Sequence, residues 1–118
     1  MFKKILSFIG SLFSWLGNIV VKAPKCKGPD AGVVGGTVMF TVKSGYEKLS
    51  DDYLYSFDWG DGNPPTELEE GKKLRKETGT LGKAHVFKAA GVYNVRVREK
   101  CPLNAHDHWS KVHQITIK

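Results

Sequence analysis

The residues in this chain able to do chemistry are few. Asp58 and Asp61 flank a glycine in Asp58-Trp59-Gly60-Asp61-Gly62, a pairing of acid and turn that raises the question of calcium. A calcium loop needs further oxygen ligands and a closing glutamate at fixed offsets, and this stretch has neither. His106, His108 and His113 raise zinc, since His-x-His on an extended segment puts both rings on one face. They fall in or beside a polar stretch, "CPLNAHDH", where solvated histidines are the expectation. No serine, cysteine or lysine stands in a nucleophile motif. Arg96, Arg98 and Lys100 alternate along one stretch and make a basic strip, read as a solvated sheet face or as a surface for an acidic partner. Cys26 and Cys101 belong to no Cys-x-x-Cys pair, so they suit one long-range disulfide formed outside the cytosol, or else two inert thiols.

The elements that must carry these residues are mostly strands. In "YSFDWGDGNPP", Tyr55, Phe57 and Trp59 recur at period 2, the pattern of a strand with one aromatic face. Gly60, Asp61, Gly62, Asn63 and Pro64 then stop it, with residues that tolerate positive φ and a proline that cannot extend a ladder. "TVMFTVKS" is β-branched and apolar; "AHVFKAAG" runs into a turn at Gly91. In "VYNVRVREK", Tyr93, Val95 and Val97 face one way and Asn94, Arg96 and Arg98 the other. "WSKVHQITIK" reads as a last strand. Residues 63–83 are charged and read as a short strand or an excursion loop, with "ELEEGKKLRKE" as a solvated, exposed segment. Short strands punctuated by turns every 8 to 12 residues or so indicate an all-β sandwich.

At 118 residues the chain holds one small domain and an appendage. The net charge of +6 is uneven. Residues 1–28 contain five lysines and no acid, whereas the remaining 90 residues carry 13 basic and 12 acidic groups. A near-neutral body argues against nucleic acid as a partner. Lys3 and Lys4 precede a run of 17 residues without charge, Ile5 to Val21, roughly 25 Å as a helix and at the short limit for a bilayer. Within it Ser7, Gly10, Ser11, Ser14 and Gly17 form a stripe of small residues that lets helices approach closely. Residues 1–23 are thus expected to be an apolar α-helix retained as a membrane anchor or assembly helix, with a cleaved signal peptide and a flat-lying helix as alternatives. Lipid or neighbouring subunits are its expected partners, and self-association follows from the stripe. Residues 24–32 read as a linker and 33–118 as the sandwich.

Two ordered motifs carry a family resemblance. Tyr55-x-Phe57-x-Trp59-Gly60-Asp61-Gly62, then His85-x-Phe87-x-x-x-Gly91-x-Tyr93-x-Val95-x-Val97, resembles the PKD (polycystic kidney disease repeat) domain over nearly all of residues 30–118. The resemblance implies an immunoglobulin-like β-sandwich found mainly in extracellular proteins. It implies protein–protein or protein–carbohydrate contact, as in adhesion at a cell surface, with no catalysis and no cofactor. It also implies first and last strands lying side by side and parallel. That arrangement would bring Cys26 and Cys101 together as a disulfide. The aromatic residues are then core, and Asp61 is a structural acceptor for backbone donors or for His85. A membrane-tethered interaction module displayed outside the cytosol is the leading expectation. A subunit of a filament or virion and a secreted carbohydrate-binding module, using Tyr46, Tyr53 or Trp109, are the others.

Overall fold

The structure, a computed structural model, describes residues 23–103 and 105–118. The expected N-terminal helix, with its stripe from Ser7 to Gly17, lies outside the described residues. Among the described residues there are nine strands and one α-helix. They are β1 (Lys25–Lys27), β2 (Ala31–Gly32), β3 (Thr37–Lys43), β4 (Leu54–Asp58), β5 (Glu69–Glu70), α1 (Gly71–Thr78), β6 (Gly82–Val86), β7 (Gly91–Lys100), β8 (Asp107–Trp109) and β9 (His113–Ile117). A 3₁₀ turn occupies Glu47–Leu49.

The strands form two sheets. One has the order β1-β3-β6; the other runs β2-β9-β7-β4-β5, with β8 added to β7. The ten-residue β7 organises the larger sheet. Its first half pairs with β9, and its second half pairs with β4 on one edge and β8 on the other. Alternation sets what each strand buries. Val38, Phe40 and Val42 of β3 turn inward while Thr37, Met39 and Lys43 stay outside. From β4, Tyr55 and Phe57 are fully buried, and they meet Val95 and Val97 of β7 and Ile115 and Ile117 of β9 in one core. The result is the sandwich expected from the turn spacing.

Residues 24–32, read as a linker, supply two strands. β1 pairs antiparallel with β3, Cys26 standing opposite Val42, whereas β2 pairs parallel with β9. The chain therefore changes sheets between Lys27 and Ala31. Residues 63–83 also hold more than a loop. Thr66 lies against β4, its hydroxyl accepting the Phe57 N–H at 2.9 Å and its N–H reaching the Phe57 carbonyl at 2.8 Å. The charged "GKKLRKET" is α1, ended by Gly79 in the left-handed conformation at φ 79°. Its Leu74 is fully buried, so the segment is not simply a solvated one.

Candidate functional site

The aromatic strand delivers a stack of rings to the turn that ends it. Phe57 and Trp59 lie nearly parallel at 5.2 Å, and Trp59 lies flat on the His85 imidazole at 4.3 Å. Phe87 meets that imidazole edge-on at 4.6 Å and then packs on Tyr93 at 4.4 Å. Asp61 closes the end. Its Oδ2 sits 3.0 Å from His85 Nε2, and its Oδ1 accepts the Asn63 N–H at 3.2 Å. Burial works against the Asp61 carboxylate, but the Asn63 and His85 hydrogen bonds outweigh it and hold the pKa below the ordinary range. Asp58 turns away: Oδ1 accepts the Gly60 N–H at 3.1 Å and Oδ2 receives Arg96 Nε at 3.3 Å. Gly60 is fixed by two constraints. Its φ is 71°, and a Cβ there would lie 2.4 Å from the Asn94 carbonyl oxygen. Gly62 also has positive φ, and Gly91 opens β7. A cleft of about 300 Å³ beside the turn is lined by Asp61, Asn63, His85, Lys88 and Tyr93 among others.

At the other end of the core lies a network that sequence reasoning missed. Glu99 is fully buried. Tyr55 donates its hydroxyl to Glu99 Oε2 at 2.6 Å, His106 Nε2 lies 2.8 Å from Oε1, and the Gly45 N–H reaches Oε1 at 3.3 Å. Tyr46 and Tyr53 pack their rings on His106 at 5.6 and 5.3 Å. Burial first, and then Glu99, pushes the Tyr55 hydroxyl above the usual tyrosine range; Tyr53 is raised chiefly by burial as well. A buried carboxylate is tolerated only where its oxygens are hydrogen-bonded, and here both are. The signal was in the alternation: Glu99 continues the inward phase of Val95 and Val97. His106, expected in solvent, is 6% exposed.

The basic strip is largely neutralised by its own neighbours. Arg98 makes two bonds of 2.7 Å to the carboxylate of Asp107 across β7 and β8, a fork-to-fork pair that keeps Asp107 acidic. Arg96 pairs with Asp58 and lies 4.1 Å over the Trp109 ring. Lys100 stands opposite Asp107 in register. Positive charge also gathers elsewhere, along a groove of about 530 Å³ between β1 and the β8–β9 connection. Lys25, Cys26, Lys27, Trp109, Lys111 and Val112 line most of it.

The PKD domain model matches residues 21–113. The chain belongs to the PKD domain family. No curated protein matches it. In this PKD domain the motif residues Tyr55, Phe57, Trp59 and Phe87 are buried. His85 and Asp61 meet at the turn, and Tyr93 donates its hydroxyl to the Ala89 carbonyl at 2.7 Å. The histidines do not converge: His113 bonds the Pro29 carbonyl at 2.9 Å, while His106 and His108 stack edge-on at 4.8 Å. Among the described residues no group of three or more His, Cys, Asp or Glu is placed to hold a metal ion.

The cysteines require a correction. Both are free thiols, Cys26 half-buried and Cys101 buried, and the expected bridge is not formed. The first strand to lie parallel beside the last is β2, not β1. β1 carries Cys26 on the opposite sheet, opposite Val42, while Cys101 follows β7 and donates its N–H to the His106 carbonyl at 2.8 Å. Burial pushes the Cys26 thiol up to about 11, so it is protonated at neutral pH.

Proposed function

We propose that this PKD domain is a non-enzymatic interaction module, displayed outside the cytosol and tethered through residues 1–23. Membership of the PKD family supports an extracellular interaction role. The observation that carries the reading is how the charges are used. The buried or part-buried acids Glu99, Asp61 and Glu69 are each bonded by neighbouring protein groups, whereas Lys25, Lys27 and Lys111 line an open groove. Such a division suits recognition and leaves these acids held in structural bonds rather than poised for catalysis. A protein partner is favoured over a glycan. A glycan platform wants open ring faces, but Tyr53 is buried, Tyr46 packs against the core and Trp109 carries the Arg96 guanidinium.

Among the described residues no helix is long and apolar enough to cross a membrane. The tether therefore rests on the uncharged run from Ile5 to Val21 and the lysines on either side of it. The reading is tested on intact cells expressing the full chain with a C-terminal epitope. Added proteinase K removes the epitope without permeabilisation if the body is outside. An epitope lost only after lysis overturns the reading.

A further inference from the structure

We infer that the groove beside β1 is a strand-addition site for an extended acidic peptide. The inference rests on the reading of the chain as an interaction domain and names the chemistry of its partner.

Backbone direction decides which groups of β1 face its outer edge. In an antiparallel pair, successive residues alternate between bonding across to the partner and pointing away from it. Val42 donates its N–H to the Leu81 carbonyl at 2.8 Å, on the β6 side of β3. Val42 and its partner Cys26 therefore form the non-bonded pair, and β1 bonds to β3 through Lys25 opposite Lys43 and Lys27 opposite Thr41. The N–H and C=O of Cys26 point the other way, toward the outer edge of β1, where no described strand pairs with it. An unpaired N–H and C=O on a sheet edge form a template for another strand.

The edge opens onto space and onto charge. The adjoining groove, about 530 Å³, is bounded on its far side by Trp109, Ser110, Lys111 and Val112. Val112 is 53% exposed. None of the ion pairs among the described residues uses Lys25, Lys27, Lys43 or Lys111. Lys25 and Lys43 stand directly opposite each other, a like-charge pair that an incoming carboxylate would relieve. The opposite side of the sandwich differs. There α1 lies along β5 and β6, and Lys83 of one sheet bonds Glu69 of the other at 2.6 Å. One side is closed by the chain itself and the other offers a bare edge among the described residues.

Alternation then fixes the ligand's pattern. Lys25 and Lys27 are exposed on the outer face, while Cys26 is half-buried against the core. A peptide strand beside β1 shares that pleat. Its residues level with Lys25 and Lys27 should be acidic, and the one between them apolar, facing Cys26 and Val112. A lipid surface would use the lysines but not the backbone of Cys26, so the bare edge favours a peptide.

The test uses the full chain in detergent micelles and a fluorescent peptide, Gly-Glu-Val-Glu-Val-Glu-Gly, followed by anisotropy. Two further probes carry backbone N-methyl groups at alternate residues, one in each phase. Strand addition predicts that one phase is tolerated and the other abolishes binding. It also predicts that K25E/K27E, both on the exposed face, weakens binding by roughly tenfold or more. Equal binding of both methylated probes would mean bare charge attraction and would overturn the inference. So would lysine-dependent binding of phosphatidylserine-doped micelles with no peptide binding, which points to lipid. Absence of both peptide and lipid binding would overturn it too, and would mean that the lysines only shield an edge. None of these negative results touches the proteinase result above, which reports where the body lies.

Discussion

Asp61 and Glu99 are acids at opposite ends of one core, and only Asp61 was read from the sequence. Asp61 follows an aromatic strand and a glycine, a position where a turn acceptor is expected, and His85 has the spacing of the family motif. Glu99 carries only the inward phase that it shares with Val95 and Val97. It sits in "VREK" among charged residues, and its burial depends on Tyr55 from β4 and His106 from beyond β7 arriving at the same point. Such convergence is tertiary and has no local signature. Asp61 yields a pH prediction. Its folded pKa lies below the ordinary value, so its contribution is present above the unfolded pKa near 4 and is lost as pH falls through the folded one. Glu69 and Asp107 shift the same way and add to this acid limb. Asp61→Asn keeps an oxygen for the Asn63 N–H but loses the charge beside His85. In thermal melts this variant should unfold roughly 2–5 °C below wild type at pH 7. The gap should shrink as pH falls below the unfolded value near 4, and a gap that stays constant into the acid range would assign the effect to packing rather than charge.

At the scale of elements, α1 is what the sequence hid most completely. Of its eight residues only Leu74 is a large apolar one, so no hydrophobic period repeats and the segment looks like a solvated charge run. Tertiary contacts make it a helix. Leu74 is fully buried, Arg75 reaches Asp51 and Ser50 at 2.8 Å each, and Lys73 bonds Glu69. Leu74→Ala should therefore cost about 2–5 kcal/mol in denaturant unfolding, far more than an exposed helix position would. A loss below about 0.5 kcal/mol would mean that α1 does not seal the sandwich. β1 and β2 were hidden for another reason. Three and two residues among Pro24, Gly28 and Pro29 are too short to show alternation, and only pairing with β3 and β9 makes them strands. β3, β4, β7 and β9 were legible because five or more residues alternate or cluster as β-branched and aromatic types.

For the whole molecule, the change of sheets between β1 and β2 has the widest consequences. It puts β1 and β2 in different sheets and places a short lysine-bearing strand at a sheet edge. The described sandwich is consequently asymmetric: closed along β5, α1 and β6, and open along β1 and residues 109–112. That asymmetry is what the proposal of a recognition side along β1 depends on. Amide hydrogen exchange of the full chain, resolved residue by residue by NMR, tests it most directly. The Lys25 and Lys27 amides, bonded to β3, should be protected while the Cys26 amide between them exchanges rapidly. A Cys26 amide protected as well as its neighbours would contradict this, for the edge would already be covered.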